Sequence, residues 1–363
     1  MTLNYKKKYI FCVQGEGRGH MTQAMVVYEL LCSQQHNIKA VIVSTSENRT
    51  IPDFFLNYIK APVYRVKSPN FKTDLNSKKI NWFKTVAYNI VAIPDYSKNY
   101  YKLKSIINQY KPDVIINFYD VLTGMFLRFN RKQSAVAVAH QYIYLHPDFK
   151  FPKGFLFDRL MIRVYTALTT PSHIKKLALS FYTLNRNYKN IIIAPPLLRN
   201  ELFKLHVQND NFILVYLVNA GYFEDIIAWH ASNSDVVLHC FTDAPEALKT
   251  KYVYNTNRIH LHGLCDKTFL NLMSKATGIA STAGFESICE AMYLGKPALM
   301  VPVDGHFEQY CNSRDAHYAG AGVFSDRFNI SLLQQISNTF NTSNDEYRKW
   351  VNSAKRVVYN ELR

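Results

Sequence analysis

Short apolar runs rich in β-branched residues alternate along the chain with longer stretches of helical periodicity. The apolar runs predict buried strands at residues 9–13, 38–43, 113–118, 134–139, 212–217, 236–239, 258–261, 278–280 and 298–301. The helical stretches predict helices at residues 21–33, 82–109 with a break near Pro94, 155–167, 223–232, 267–275, 286–294 and 308–319. Strands separated by helices form parallel sheets covered on both faces, so the pattern predicts an α/β fold of doubly wound parallel sheets.

Two adjacent prolines divide this pattern near its middle. Pro195 and Pro196 lack backbone donors and stiffen the chain, as suits a linker. Since 363 residues suit two domains, we expect an N-terminal domain at 1–196 and a C-terminal domain at 197–340. A C-terminal helix within 341–363 is expected to pack back on the N-terminal domain. Two doubly wound domains would bind ligands at the carboxyl ends of their strands, in a central cleft.

The charge of the chain is unevenly distributed. With 43 Lys and Arg against 27 Asp and Glu, the formal net charge is +16. Residues 1–200 carry 29 basic and 10 acidic side chains, a balance of +19, whereas residues 201–363 carry 14 and 17, a balance of −3. A basic field attracts anionic partners, which include nucleic acid, acidic membranes and phosphorylated or acidic substrates. The charge alone does not choose among them.

Composition removes several other classes of protein. No uninterrupted apolar run approaches the ~18 residues of a membrane-spanning helix, and the run at 9–13 is too short for a signal sequence. The six cysteines are scattered without metal-ligand spacing, so we expect reduced thiols in a cytoplasmic protein and no bound metal.

A glycine-rich loop follows the first predicted strand. Gly15, Gly17, Arg18 and Gly19 lie between that strand and the next helix, where glycines permit a tight turn and the close approach of a ligand to backbone amides. The dinucleotide fingerprint would require glycine at position 20, which is His20. At the start of a helix, His20 is a candidate general base, and a local capping role is the alternative.

A second candidate site follows the strand at 278–280. The amides around Gly284 and Phe285, together with the Ser287 hydroxyl, suit a diphosphate at a helix N-terminus. Glu290, one turn further on, has two acceptor oxygens that match the paired hydroxyls of a ribose. The alternative for these residues is an ordinary helix start with a local hydroxyl bond.

The run 284–297, with Pro302, Glu308, Gln309 and Asn312 after it, resembles the nucleotide-sugar signature of GT-B glycosyltransferases. It is most similar to glycosyltransferase family 28 and to UDP-glucuronosyltransferase-like enzymes, in particular a bacterial and archaeal branch. The glycine loop that ends in histidine is similar to the acceptor-side loop of the same superfamily. The resemblance implies two Rossmann-like domains that face a central cleft, the first binding the acceptor and the second the nucleotide sugar.

The resemblance also implies a role for individual residues. Ser287 and the amides at Gly284 and Phe285 would hold the diphosphate, and Glu290 the ribose. Glu308 and Gln309 would contact the sugar of the donor, and Leu264 and Phe269 would flank its nucleobase. His20 would be the base of a metal-independent inverting transfer that needs no cofactor. By its position after the strand at 113–118, and not by the resemblance, Asp120 is expected to orient His20 or meet the acceptor, and a helix N-cap is the equal alternative.

The acceptor would then lie against the basic N-terminal domain. Residues 141–157 interleave aromatic and basic side chains, a pattern that suits the interface of an anionic membrane. We therefore expect a lipid-linked or acidic acceptor and a cytoplasmic protein that associates peripherally with the inner face of the membrane. The alternative is that these aromatic residues pack in the core.

Three other functions stay open at this stage. UDP-sugar epimerases share the expected architecture, although they lack the glycine-histidine loop in this form. A non-catalytic nucleotide-sugar-binding subunit would retain the donor residues without using His20. A nucleic-acid-binding protein would account for the charge, but no nucleic-acid-binding motif is present, so no nucleic-acid partner is expected.

Overall fold

The computed structural model describes residues 6–46, 49–69, 93–184, 187–217, 220–337, 340 and 344–362. The chain divides into two compact units, which are Met1–Arg199 with Trp350–Arg363 and Asn200–Lys349. The observed division at the linker lies three residues after the predicted one.

The predicted range 341–363 is split between the two units. Tyr347 donates a hydrogen bond to the carbonyl of Cys289 at 3.2 Å, which holds the beginning of this range on the second unit. Trp350 donates to the carbonyl of Ser180 at 3.2 Å, so the rest of the range belongs to the first unit. The boundary between the two units therefore lies inside this range, between Lys349 and Trp350.

The first unit contains a seven-stranded parallel sheet. Its strands are β1 (Lys8–Gln14), β2 (Asn37–Thr45), β3 (Val63–Lys67), β4 (Val114–Phe118), β5 (Ala135–Ala139), β6 (Lys175–Leu179) and β7 (Ile191–Ala194). Among the described residues of this unit, the helices are α1 (Arg18–Ser33), α2 (Asp53–Tyr58), α3 (Ile93–Tyr110), α4 (Val121–Phe129) and α5 (Leu156–Thr169), with a 3₁₀ helix at His140–Leu145.

The second unit contains a six-stranded parallel sheet. Its strands are β8 (Phe212–Leu217), β9 (Val237–Thr242), β10 (Ile259–Gly263), β11 (Gly278–Ser281), β12 (Ala298–Met300) and β13 (Gly322–Phe324). Its helices are α6 (Phe223–Ala231), α7 (Pro245–Lys251), α8 (Asp266–Lys275), α9 (Phe285–Tyr293), α10 (Phe307–Tyr318) and α11 (Ile330–Ser337). The chain ends in α12 (Asp345–Asn352) and α13 (Ala354–Leu362), and 3₁₀ turns lie at Asn200–Lys204 and Ala220–Tyr222.

The strand order places one switch point in each sheet. The orders are β3-β2-β1-β4-β5-β6-β7 and β10-β9-β8-β11-β12-β13, and all strand pairs are parallel. The order reverses between β1 and β4 and again between β8 and β11. Ligands of open α/β sheets bind outside the carboxyl ends of the strands at such points. The predicted pair of doubly wound parallel sheets is therefore confirmed.

Most predicted elements agree with the observed ones to within a few residues, and the exceptions have physical causes. The helix predicted at 82–109 is observed from residue 93, and its earlier part lies outside the described residues. Strand β6 begins with two lysines and was not predicted as buried. Lys176 is nevertheless buried, because its Nζ donates to the carbonyl oxygens of Pro171 at 3.0 Å and Ile174 at 2.8 Å. Burial lowers the pKa of this amine to about 8.

Part of the aromatic stretch predicted at a membrane interface lies in the core. Tyr142 and Tyr144 are fully buried, and Tyr142 shares a 3.1 Å hydrogen bond with Thr169. Tyr144 packs edge-on against the buried Phe149 with ring centroids 5.1 Å apart. The prediction of an interfacial role is therefore wrong for these three rings. Among the described residues, no helix is both long and apolar enough to cross a membrane.

A glycine permits the close packing of α4 on α5. A Cβ atom at Gly124 would overlap the backbone carbonyl oxygens of Leu168 and Thr169 at the end of α5. Backbone atoms cannot move aside as the end of a flexible side chain does.

We expect Gly124→Ala to lower the free energy of unfolding by about 1–3 kcal/mol, because the added methyl forces the two helices apart. Urea titration followed by circular dichroism measures the change. Gly263→Ala is the matched control, since the nearest atom to its added Cβ is a proline carbon at 3.9 Å. Equal stability of the two variants would contradict this explanation of Gly124.

Candidate active site

The glycine loop lies against the carboxyl end of β2. The amide of Gly15 donates to the carbonyl of Ser44 at 2.7 Å. A Cβ at Gly15 would lie 2.7 Å from the Thr45 methyl, so only glycine permits this approach. The Glu16 carboxylate accepts hydrogen bonds from the amide of Ser46 and, at 3.3 Å, from its hydroxyl. The loop is therefore held at both Gly15 and Glu16, a contact that the sequence analysis did not predict.

Helix α1 begins earlier than predicted, so the loop residues belong to its first turn. Gly17 is the N-cap, and Arg18, Gly19 and His20 are the first helical residues. The Arg18 guanidinium lies over the Phe54 ring at 4.9 Å. A histidine in the first turn brings its ring to the end of the helix where backbone amides are unpaired.

His20 is almost completely buried, with 8% of its surface exposed. Its Nδ1 lies 3.4 Å from Gln23 Oε1, and its ring stacks on Tyr119 with centroids 5.3 Å apart. Burial lowers the pKa of His20 to about 4, and the Gln23 hydrogen bond opposes this only partly. The ring is therefore neutral at pH 7 and able to accept a proton.

Asp120 is the N-cap of α4. Its Oδ2 accepts hydrogen bonds from the amide and hydroxyl of Thr123 at 2.8 and 2.6 Å, and its Oδ1 accepts from Ser68 at 3.3 Å. Its backbone amide donates to Asn117 Oδ1 at 2.8 Å, so the turn after β4 is fixed from both sides. Within the described residues, Asp120 makes no hydrogen bond to His20, and the group beside Nδ1 is Gln23.

The predicted phosphate site is the turn between β11 and α9. Gly284 is the N-cap of α9, and the Ser287 hydroxyl donates to its carbonyl at 3.2 Å. Phe285, the first helical residue, is buried. Ser281, at the end of β11, has a buried hydroxyl with no hydrogen-bond partner among the described residues. A free hydroxyl next to the turn is an additional candidate ligand that the sequence analysis missed, and it lies three residues before the run 284–297.

Glu290 lies on the second turn of α9 and is only 1% exposed. A carboxylate that binds a ribose must be reached by the ligand, so neighbouring groups would have to move when the ribose enters. The burial also places Glu290 close enough to Tyr347 for its charge to contribute to the raised pKa of that phenol, after burial and Cys289. The predicted ribose role is thus compatible with the position on α9 and requires local opening.

The predicted sugar contacts lie at the start of α10. His306 is the N-cap, and its ring nitrogen accepts a hydrogen bond from the amide of Gln309 at 3.4 Å. Gln309 Oε1 accepts from the amide of Val303 at 2.8 Å, which closes the loop between β12 and α10. Burial lowers the pKa of His306 to about 4, so it accepts this bond as a neutral ring. Glu308 follows within the first turn and is half-buried.

The predicted nucleobase contacts, Leu264 and Phe269, adjoin an aromatic cluster at the ends of β8, β9 and β10. Phe269 on α8 packs against Tyr216 and Phe241 with centroids 5.5 and 5.2 Å apart. His262 stacks on Phe241 at 4.8 Å, and Leu264 follows β10 directly. The sequence analysis did not predict Tyr216, Phe241 and His262 as site residues, although each is the second-last residue of its strand.

Backbone strain marks the same position in both sheets. Tyr119, after β4, has φ +64°, and Ala283, after β11, has φ +57°. Left-handed backbone at a residue with a side chain costs about 1–2 kcal/mol, and such strain concentrates at ligand sites. Both residues adjoin the switch point of their sheet, one beneath His20 and the other at the predicted diphosphate site.

Two all-parallel doubly wound units, with a glycine loop at one switch point and a small-residue helix start at the other, define the GT-B class of glycosyltransferases. The model of glycosyl transferase family 1 matches residues 7–339. The chain belongs to glycosyl transferase family 1.

Solved structures agree with this fold. MurG of Acinetobacter baumannii is 14% identical, with 98% of each chain covered and a TM-score of 0.57. The spinosyn rhamnosyltransferase SpnG, complexed with thymidine diphosphate, is 12% identical over 98% of this chain and 100% of that one, with a TM-score of 0.61. UGT89C1 of Arabidopsis thaliana, complexed with UDP-L-rhamnose, is 12% identical over 99% and 98%, with a TM-score of 0.60. A search of curated protein sequences gives no significant match. The expected resemblance to GT-B glycosyltransferases is confirmed.

The lowered pKa of His20 predicts a loss of stability in acid. The unfolded chain protonates this ring near pH 6.5, whereas the native state keeps it neutral down to about pH 4. The contribution to stability is therefore complete above pH 6.5 and is lost as the pH falls toward 4. Between pH 7.5 and 4.5 we expect it to remove about 2–3 kcal/mol.

Urea unfolding at the two pH values measures this loss in the parent protein and in His20→Asn. The variant lacks the titrating ring, so its stability should fall by about 2–3 kcal/mol less. His206→Asn, at an exposed position, should behave as the parent does. An equal pH dependence in parent and His20→Asn would show that His20 titrates normally.

Proposed function

We propose that the protein transfers a sugar from a nucleoside diphosphate donor, with UDP as the nucleotide, to an acceptor hydroxyl with inversion at the anomeric carbon. The observation that carries the proposal is the pair of switch-point sites: a neutral buried histidine in one unit and a helix N-terminus in the other. Membership of the glycosyltransferase family supplies the reaction class. UDP-L-rhamnose in one related structure supports a UDP donor, and thymidine diphosphate in another makes the nucleobase the first quantity to measure.

The donor would be held by the second unit without a surplus of cations. The backbone amides at the N-terminus of α9 and the hydroxyl of Ser287 would hydrogen-bond the diphosphate, and they would stabilise it as it leaves. Since amides and hydroxyls take this role, the scheme uses neither a metal nor another cofactor. Glu290 would accept hydrogen bonds from the ribose, Glu308 and Gln309 would contact the sugar, and Leu264 with Phe269 would flank the base.

His20 would act as the general base of the reaction. A neutral ring takes the proton of the acceptor hydroxyl as the oxygen attacks the anomeric carbon. Gln23, which lies beside Nδ1, would orient the ring and leave Nε2 for the acceptor. In this scheme Asp120 would position the turn below the ring and would not receive the proton, because its two oxygens already bind Thr123 and Ser68.

The acceptor would be lipid-linked or acidic. The first unit contributes the basic side of the chain, and within the glycine loop the space beside Gly17 is open, since the nearest atom to an added Cβ is the Gly19 amide nitrogen at 4.0 Å. We further propose that the protein works at the cytoplasmic face of a membrane, where a lipid-linked acceptor would be presented to it.

Binding of UDP tests the donor site. We expect UDP to raise the melting temperature of the parent, because a ligand that binds only the native state stabilises it. Glu290→Gln should weaken UDP about 10- to 100-fold, since a hydrogen-bonded carboxylate is worth about 1.5–3 kcal/mol. Glu246→Gln, the same change on the surface of the second unit, is the control. Stabilisation by thymidine diphosphate and not by UDP would refute uracil as the nucleobase of the donor.

Substitution of the histidine tests the chemistry. We expect His20→Ala to lower the transfer rate by about 10²–10⁴-fold while UDP still binds. His206→Ala, at an exposed position of the second unit, should retain activity. Because the pKa of His20 is near 4, the rate of the parent should stay level down to about pH 5.

Product analysis completes this test. NMR of the product should give the anomeric configuration opposite to that of the donor. Unimpaired transfer by His20→Ala would exclude this residue as the base, and formation of an isomeric UDP-sugar in the absence of acceptor would indicate an epimerase.

A further inference from the structure

Helices α4 and α5 of the first unit expose large apolar side chains. Leu156 is 80% exposed and Phe129 is 76% exposed, values that are unusual for side chains of this size. We call the following set, together with the basic residues around it, the basic apolar face: Met125, Phe129, Leu156, Phe157, Leu160, Val164 and Leu168.

The apolar residues follow the periodicity of a single helix surface. Leu156, Leu160, Val164 and Leu168 are spaced four residues apart, so they form a stripe along the whole length of α5. Thr166 and Thr169 of the same helix are buried. The side of α5 that faces solvent is thus more apolar than parts of its buried side, which is the reverse of an ordinary surface helix.

The two helices form one continuous surface. Arg128, at the end of α4, donates hydrogen bonds to the carbonyl oxygens of Leu168, at 2.8 Å, and Ala167. Gly124 permits their backbones to approach closely at the same end. Phe129 and Leu168 therefore lie on joined helix ends, and the apolar area does not depend on a loop.

Basic side chains surround this area. Residues 121–170 contain seven Lys and Arg and two Asp, a balance of +5. Lys153, Arg159 and Arg163 are exposed along α5 and before it. Beside the C-terminal end of α4, a cavity of about 910 Å³ is lined by Lys111, Arg128, Arg131, Lys132 and Phe129. Because Arg128 lines the cavity and donates to the carbonyl of Leu168, the cationic cavity adjoins the end of the apolar stripe.

We propose that the basic apolar face docks the protein on an anionic lipid bilayer, with the apolar stripe among the acyl chains and the cations at the headgroups. This inference rests on the proposed function in the form in which the acceptor is lipid-linked. Each Lys or Arg near an anionic surface contributes about fivefold to binding, and exposed apolar side chains gain by leaving water. The cavity would accept an anionic headgroup beside Phe129.

The charge favours a bilayer over a second copy of the chain. In a twofold dimer the same patch faces itself, so two faces with a balance of +5 would repel each other. A bilayer that contains anionic lipid supplies both of the complementary parts, an acyl interior for the stripe and phosphates for the surrounding cations.

Vesicle co-sedimentation tests the face. We expect the full-length protein to bind vesicles of phosphatidylglycerol and phosphatidylcholine at low salt, and to bind pure phosphatidylcholine at least about tenfold more weakly. Leu160→Glu with Val164→Glu, which puts charge on the stripe, should weaken binding at least about tenfold. Lys132→Gln with Arg163→Gln should do so as well, and should reduce the dependence on salt.

Matched controls carry the same changes elsewhere. Val253→Glu places a carboxylate at a residue that is 97% exposed, and Lys355→Gln with Arg356→Gln removes two exposed cations from the first unit. Both should bind vesicles within about twofold of the parent. Circular dichroism melting should show that all variants are folded.

Absence of parent binding to anionic vesicles at low salt would overturn the proposal, as would equal losses in the variants and the controls. Dimerisation in solution that Leu160→Glu with Val164→Glu abolishes would assign the face to a second copy instead. The thermal-shift measurement with UDP distinguishes a failure of the basic apolar face from a failure of the proposed function. UDP binding without vesicle binding refutes the face alone, and vesicle binding without UDP binding refutes the donor site alone.

Discussion

The parallel pairing of every strand is the constraint on which the remaining structure depends. Each parallel pair needs a crossover connection, usually a helix, that returns the chain from the carboxyl end of one strand to the amino end of the next. Because the order reverses beside β1 and beside β8, the connections on the two sides of each reversal diverge and leave the strand ends open. The residues at these ends must turn sharply from strand to helix. Gly15 meets this requirement with a missing Cβ, and Tyr119 and Ala283 meet it with left-handed backbone.

That constraint explains why the candidate chemistry could be predicted from sequence to a considerable extent. Buried strands of a parallel sheet are continuous apolar runs, so the strand at 212–217 was predicted at its observed limits. Glycines and small residues directly after such runs identify the turns, and hence the neighbourhoods of His20 and Gly284. The family resemblance then supplied roles that periodicity could not.

The features that sequence did not predict have separate physical causes: some depend on contacts that form only in the folded chain, and one element is too short to show a period. Strand β6 has a lysine whose amine is satisfied only by carbonyls of the preceding turn. Strand β13 has three residues, too few for a periodic signal. The stretch at 141–157 has one composition but two environments: Tyr142 packs in the core and Leu156 is exposed. Whether Asp120 capped a helix or faced His20 likewise depended on Thr123 and Ser68, which only the folded turn brings to its oxygens.

The positions of the charges connect the two halves of the proposed reaction. A diphosphate held by helix amides and hydroxyls needs no local excess of cations, and the half that would hold it has a balance of −3. The surplus of the first half is therefore available for another anion. Part of it surrounds the exposed stripe of α5, where isolated cations would gain little from protein partners but would gain from a surface of many phosphates. The proposed docking on an anionic bilayer thus gives the uneven charge and the exposed apolar residues a single explanation, because such a surface complements both.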